Sequence, residues 1–231
     1  MTGSVIGLAF AGMRSFAYGA ARRIAKLVAV VCLGAGAAQA EAVTVAALGD
    51  SLTAGYGLAT ADGFVPQLEA WLQAQGADVT VMNAGVSGDT TAGGLSRVDW
   101  TLTPDVDAMI VTLGGNDYLR GIDPAVSAAN LDGILAAGQA AGVDMLLVGL
   151  SVGGNYGQDY KQEFEGMYAT LAEAYDVPLY PDFAAGLRAA AGDQAGMAAF
   201  LQPDGIHPNA DGVAVIVEAI GPAVLDLIAA D

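Results

Sequence analysis

The residues best suited to chemistry are a serine that follows an apolar run and a histidine near the C-terminus. Ser51 lies in the stretch AALGDSLTAGYG, where the apolar run stops at a glycine. His207 is the only histidine of the chain, and Asp204 precedes it by three residues. Serine is a weak nucleophile without an adjacent base, and Asp204 can accept the Nδ1 proton of His207 so that Nε2 faces the serine. The pattern fits a serine nucleophile with a histidine base, provided that the fold brings Ser51 and His207 together; a structural or surface histidine is the alternative interpretation.

Two further segments carry N–H groups that could bind a developing alkoxide. Asn116 lies in VTLGGNDYLRG, directly after two glycines that allow a sharp turn, and Gly88 lies in NAGVSGDTT. The side-chain amide of Asn116, with the backbone N–H groups of Ser51 and Gly88, would form an oxyanion hole. Asn and Gly are also common residues of ordinary turns, which is the alternative interpretation of both positions.

These residues depend on the elements that position them. Apolar runs predict strands over 43–48, 79–83, 108–113, 145–150 and 177–180, and longer patterns predict helices over 62–75, 90–102, 124–141, 158–175 and from Pro208 to the C-terminus. Continuous apolar strands that alternate with helices are typical of a parallel sheet covered on both faces. We therefore expect one three-layer α/β domain with a parallel sheet of about five strands. Ser51, Gly88 and Asn116 follow the first three strands, so they should meet at the carboxyl edge of that sheet.

The first forty residues differ in composition from the rest. They contain no acidic residue and four basic ones, and an apolar run over 27–40 ends in Ala38-Gln39-Ala40. This arrangement predicts a signal peptide over residues 1–40, with cleavage after Ala40, and a domain over 41–231 in the periplasm or the medium. The run is shorter than the roughly 20 residues of a membrane-spanning helix. An uncleaved anchor and translation from Met13 are the alternatives.

Residues 41–231 hold 25 acidic residues against four basic ones, which gives a net charge of −21. This charge disfavours binding to nucleic acid and to anionic membranes. Cys32, the only cysteine, lies in the predicted signal peptide, so disulfides and thiolate metal sites are excluded from the cleaved chain. We expect no cofactor and no transition metal, a monomer, and no stable membrane insertion after cleavage. A calcium site built from carboxylates is the alternative left open.

Four blocks of the sequence resemble those of the SGNH, or GDSL, hydrolases. They are GDSL at 49–52, Gly88 within NAGVSGDTT, GGND at 114–117 and DGIHP at 204–208, in the family's order. The resemblance covers about residues 43–228 and implies a flavodoxin-like arrangement of the parallel sheet. The segments LRGIDP, NYG and YDVPLYP are similar to the periplasmic thioesterase, arylesterase and lysophospholipase branch of that family.

The resemblance implies a secreted serine hydrolase that cleaves carboxylic esters or thioesters through an acyl-serine intermediate. Ser51 would be the nucleophile, and His207 the base and then the acid, oriented by Asp204. Gly88 and Asn116 would form the oxyanion hole with the Ser51 N–H. GDSLT lacks the second glycine of the G-x-S-x-G elbow, so we expect the serine on a less strained turn that opens a helix.

The substrate is predicted only as a class, a small ester or a lipid-derived molecule. Tyr118, Leu119 and Ile122 follow the oxyanion block, and Val152 lies in GLSVGGNYG. We expect these four residues to line an acyl groove, with ordinary loop packing as the alternative.

Two other functions fit the same motifs. A carbohydrate or peptidoglycan O-acetylesterase would use the same residues, but Trp71 and Trp100 both fall in predicted helices, where we expect packing rather than a sugar platform. A non-catalytic binding module would have lost a catalytic residue, and none of the five named above is missing.

Overall fold

The computed structural model describes residues 42–229, so the predicted signal peptide and its cleavage site lie outside the described residues. Five parallel strands form one sheet in the order β2-β1-β3-β4-β5. This order is that of the flavodoxin-like doubly wound folds. It confirms the predicted single α/β domain. The strands are β1 Val43–Gly49, β2 Val79–Gly85, β3 Ala108–Thr112, β4 Asp144–Val148 and β5 Leu179–Tyr180.

Nine α-helices and two single 3₁₀ turns accompany the strands within the described residues. Four of the five longer helices begin and end within two residues of the predicted bounds, and the fifth begins two residues after Pro208 and ends at Ile228 rather than at the C-terminus. The shorter helices, α1 apart, were not predicted, because one or two turns are too short to show a hydrophobic period. The helices are α1 Ser51–Ala54, α2 Phe64–Ala74, α3 Thr91–Thr101, α4 Gly115–Leu119, α5 Pro124–Ala141, α6 Gln158–Tyr175, α7 Ala185–Ala191, α8 Gln194–Met197 and α9 Ala210–Ile228, and the 3₁₀ turns are Thr60–Asp62 and Ala198–Phe200.

The sheet separates two hydrophobic cores. Helices α2, α7 and α9 cover one face, and helices α3, α5 and α6 cover the other. Strand β1 supplies both cores, since Val45 and Ala47 lie in the first while Ala46 and Leu48 lie in the second. Burial on both faces explains why this strand is a continuous apolar run rather than an alternating one.

The two tryptophans differ in environment. The indole of Trp71 is partly buried against the first core and donates a hydrogen bond to Glu218 Oε2 at 2.8 Å. Trp100, in contrast, is 86% exposed at the end of α3. The packing role predicted for Trp100 is therefore wrong, because its position on the helix faces solvent. Among residues 42–229, no helix combines the length and the hydropathy needed to cross a bilayer.

Candidate active site

Ser51 is placed by the junction between β1 and α1. Strand β1 ends at Gly49, where a Cβ atom would lie 2.0 Å from Thr53 Oγ1, so no larger residue fits between strand and helix. Asp50 caps α1 by accepting a hydrogen bond from Leu52 N at 3.0 Å. Ser51 is the first residue of the helix, and its N–H has no partner within the helix. The predicted turn that opens a helix is therefore present.

His207 and Asp204 lie on the loop before α9, which brings His207 into contact with Ser51 at the carboxyl edge of the sheet. His207 Nε2 is 2.8 Å from Ser51 Oγ, and His207 Nδ1 is 2.7 Å from Asp204 Oδ2. The other oxygen, Asp204 Oδ1, accepts hydrogen bonds from the backbone N–H groups of Ile206 and His207 at 2.9 and 3.0 Å. Gly205 has a φ of 69°, the left-handed conformation that this tight loop requires. Ser51, His207 and Asp204 thus form a hydrogen-bonded triad. Ser51 and His207, which are in contact, lie 156 residues apart in sequence.

The electrostatics of this triad favour a charged Asp204. Hydrogen bonding to His207, followed by the two backbone N–H groups, lowers the pKa of Asp204 to about 2. The carboxylate therefore stays ionised where histidines change charge, and it can stabilise a protonated His207. The ring of Tyr56 lies against the imidazole of His207, with ring centroids 4.7 Å apart. This contact restricts the movement of the imidazole.

Asn116 is placed beside Ser51 by the turn into α4. Gly114, with a φ of 122°, turns the chain out of β3. The side-chain Nδ2 of Asn116 donates to Asp50 Oδ2 at 3.1 Å, which leaves its second amide hydrogen for the cavity. Gly88 has a φ of 86° and lies on the loop after β2. Within residues 42–229, the N–H groups of Ser51 and Gly88 donate to no backbone acceptor outside the regular elements.

A buried carboxylate, which sequence reasoning missed, anchors the helix that carries Asn116. Asp117 accepts hydrogen bonds from Thr91 N at 2.8 Å, from Thr91 Oγ1 at 2.6 Å and from Ser127 Oγ at 2.9 Å. Thr91 belongs to α3 and Ser127 to α5, so three helices are joined at this point. The signal available in the sequence was an acidic residue directly after Asn116, because a carboxyl group that becomes buried needs several hydrogen-bond partners.

A cavity of about 260 Å³ opens in front of Ser51, Gly88, Asn116 and His207. Its mouth is apolar and accessible, because Tyr56, Leu119 and Ile206 are 53%, 56% and 54% exposed. Tyr56 and Ile206 were not predicted, although they lie close in sequence to Ser51 and His207. No three His, Cys, Asp or Glu side chains in the described part of the chain are placed to share a metal ion.

Of the four predicted substrate-binding residues, the structure brings only Leu119 to this cavity. Tyr118 packs in an aromatic cluster with Tyr156, Tyr160 and Phe164. The carbonyl of Ile122 accepts a hydrogen bond from Tyr160 at 2.7 Å. These contacts make Tyr118 and Ile122 part of the loop packing, because the turn of α4 directs neighbouring residues to different sides.

Val152 likewise lies outside the cavity lining. Its side chain packs against the second core, and its N–H donates to Glu165 Oε1 at 2.8 Å. Sequence proximity to the oxyanion block, and membership of the loop after β4, were therefore insufficient to identify cavity residues.

The chain is similar to known proteins over most of its length. Residues 47–215 match the model of the GDSL-like Lipase/Acylhydrolase family. The chain is 37% identical over 191 residues to the esterase TesA of Pseudomonas aeruginosa, covering 82% of this chain and 92% of that protein. It is 36% identical over 180 residues to thioesterase 1/protease 1/lysophospholipase L1 of Escherichia coli (strain K12), covering 78% and 82%.

A solved structure gives the same result. The crystal structure of AlinE4, an SGNH-hydrolase family esterase, is 43% identical, with a TM-score of 0.65 and coverage of 81% of this chain and 97% of that one. The match of most of the chain confirms the resemblance seen in the four sequence blocks. The chain is an ester-hydrolysing enzyme that belongs to the GDSL-like lipase/acylhydrolase family.

Proposed function

We propose that the enzyme hydrolyses its ester through a covalent acyl group on Ser51. The observation that carries this proposal is the 2.8 Å contact between Ser51 Oγ and His207 Nε2, with Asp204 bonded to the opposite ring nitrogen. A serine in that position loses its proton to the imidazole as it attacks a carbonyl carbon. Asp204 holds the imidazole in the required tautomer.

In the first half of the reaction, Ser51 Oγ forms a bond to the carbonyl carbon and its proton moves to His207 Nε2. The carbonyl electron pair moves to the oxygen, which the N–H groups of Ser51 and Gly88 and the side chain of Asn116 then stabilise. Collapse of this tetrahedral intermediate expels the alcohol, which takes the proton from His207. The acyl group stays on Ser51.

In the second half, water replaces the alcohol. His207 takes a proton from a water molecule as its oxygen attacks the acyl-serine carbonyl carbon, and the same three donors stabilise the new oxyanion. When this intermediate collapses, Ser51 Oγ leaves and recovers its proton from His207. The products are a carboxylic acid and an alcohol, and the enzyme is restored.

The substrate we propose is an uncharged or zwitterionic ester with an apolar acyl chain. Leu119, Ile206 and Tyr56 supply apolar surface at the cavity mouth. The net charge of −21 beyond residue 40 disfavours polyanionic substrates such as acyl-CoA. Lysophospholipids and small esters fit both properties.

Hydrolysis of p-nitrophenyl esters from acetyl to palmitoyl tests this function, with Ser51→Ala as the control. We expect the rate to peak at medium or long chains and to disappear in the variant. Activity confined to the acetyl ester would contradict the apolar acyl site and would indicate an O-acetylesterase. Activity that persists in Ser51→Ala would contradict the acyl-serine mechanism.

We also propose that residues 1–40 export the enzyme and are removed. The support is the basic start, the apolar run and the small residues that end at Ala40. Sequencing the N-terminus of protein recovered from the periplasm and from the medium should give Glu41 as the first residue. A first residue of Met1 or Met13 in a membrane fraction would indicate an uncleaved anchor instead.

A further inference from the structure

Arg97, on α3, makes three hydrogen bonds at the edge of the sheet where the active site lies. Its Nη2 donates to Gly49 O at 2.8 Å, its Nη1 to Ala84 O at 2.6 Å and its Nε to Asp89 Oδ2 at 2.7 Å. Arg97 does not line the cavity. Its three acceptors therefore define what the guanidinium does.

The acceptors belong to the two segments that carry the backbone oxyanion donors. Gly49 ends β1 and stands two residues before Ser51, while Ala84 lies near the end of β2 and Asp89 directly follows Gly88. Gly49 and Gly85 are the last paired residues of β1 and β2. Beyond them, hydrogen bonds between the two strands no longer fix the distance between the segments that follow. One further bond crosses the gap, from Val86 N to Gly49 O at 3.0 Å.

Two of the few basic side chains of this acidic chain lie at the loop that holds Gly88. Beyond residue 40 there are only four basic residues, and Arg97 and Arg120 both contact the loop that holds Gly88. Arg120 donates from the exposed side to Gly88 O at 2.8 Å. The Arg97 side chain, only 21% exposed, holds the loop from beneath.

We propose that Arg97 is a positioning residue that sets the distance between the Ser51 and Gly88 N–H groups; this inference rests on the proposed acyl-serine mechanism. A planar guanidinium reaches three acceptors in fixed directions, whereas a lysine ammonium acts as a compact point charge. Loss of the fork leaves two strand-end carbonyls and Asp89 without their shared donor. Both oxyanion donors then move relative to each other, and misplacement of about 1 Å costs on the order of a hundredfold in rate.

The test compares Arg97→Lys and Arg97→Ala in the full-length protein with Arg188→Lys, which alters an arginine that pairs with Asp182 instead. We expect kcat to fall about tenfold to a hundredfold in both Arg97 variants while KM stays close to that of the wild type, as for a contact that acts in the transition state. Phosphonylation of Ser51 by a fluorophosphonate should slow in parallel. Arg188→Lys should keep the wild-type kcat.

Chemical rescue separates positioning from folding. Guanidinium at concentrations below the unfolding transition should restore part of the kcat of Arg97→Ala and leave Arg97→Lys and the wild type unchanged. A kcat of Arg97→Lys equal to that of the wild type would overturn the proposal. So would a loss in Arg97→Ala that matches the unfolded fraction in thermal melts and is not rescued. Ser51→Ala, measured beside them, reports on the mechanism itself, since its full activity would overturn that mechanism whatever Arg97 does.

Discussion

The buried carboxylate of Asp50 accepts a hydrogen bond from the side-chain amide of Asn116 at 3.1 Å while it caps the helix that begins at Ser51. One side chain thus joins the helix of the proposed nucleophile to the proposed oxyanion donor. In Asp50→Asn, Oδ1 can still cap the helix, but the new amide would place donor against donor at Asn116. We expect kcat for p-nitrophenyl esters to fall about tenfold or more, because Asn116 loses its orientation. A wild-type kcat would contradict this link.

The same variant should change how stability depends on pH. Burial is the largest effect on Asp50, and it raises the pKa of this carboxyl above its ordinary value. A raised pKa means that the folded state binds the proton more tightly than the unfolded state, so the contribution of Asp50 to stability is lost as pH rises through the folded-state pKa. Melting temperatures of the two proteins should therefore shift in favour of Asp50→Asn as pH rises. A difference that is constant with pH would show that burial does not shift the pKa of Asp50 between the unfolded and the folded state.

Replacement of Asn116 by alanine removes the proposed side-chain donor. We expect kcat to fall about a hundredfold to a thousandfold, as for other oxyanion donors, with a smaller effect on KM. Asn155→Ala is the matched control, since Asn155 is exposed and does not line the cavity. A loss in Asn116→Ala of less than about tenfold would remove this residue from the oxyanion hole.

Asp204 gives the pH dependence of activity a defined shape. Hydrogen bonding to His207 lowers the pKa of Asp204 to about 2, so this carboxylate is ionised across the range in which enzymes of this kind are assayed. Asp204 should therefore add no titration step of its own to the pH–rate profile of the wild type. Asp204→Asn should lower kcat by on the order of a thousandfold or more, because the amide favours the wrong tautomer. A step in the wild-type pH–rate profile that is absent from Asp204→Asn would contradict the lowered pKa of Asp204.

The apolar mouth of the cavity makes a prediction about acyl-chain length. Leu119→Ala and Ile206→Ala each remove apolar contact, and because both side chains are more than half exposed, each variant should lose only about 1 kcal/mol of binding in total. KM for decanoyl esters should therefore rise about fivefold in each. KM for acetyl esters should change little. Val152→Ala is the control, since Val152 lies outside the cavity lining. An equal rise in Val152→Ala would show that the acyl chain binds elsewhere.

The sequence predicted the sheet and the grouping of Ser51, His207 and Asp204, because both depend on strong local signals. Strands such as Val43–Gly49 are buried on both faces and read as unbroken apolar runs, and helix α6 matches its predicted bounds of 158–175. His207 is the only histidine, so a serine that needs a base has no other partner of that type.

The residues that line the cavity and the contacts that support the site could not be predicted from local sequence patterns. Whether Tyr118 or Leu119 faces the cavity depends on the rotation of α4, which is set by Asp117 and its donors on two other helices. Tyr56 meets His207 across 151 residues of sequence, and Arg97 finds its acceptors at the ends of two strands. Such contacts depend on tertiary packing rather than on any local pattern.

The central claim is that Ser51 carries the acyl group. Mass spectrometry of the enzyme, quenched during turnover of a p-nitrophenyl ester, tests it most directly. We expect an increase equal to the mass of the acyl group, located by digestion to the peptide that contains Ser51 and absent from Ser51→Ala. An acyl adduct on another residue, or full hydrolysis by Ser51→Ala, would contradict the mechanism.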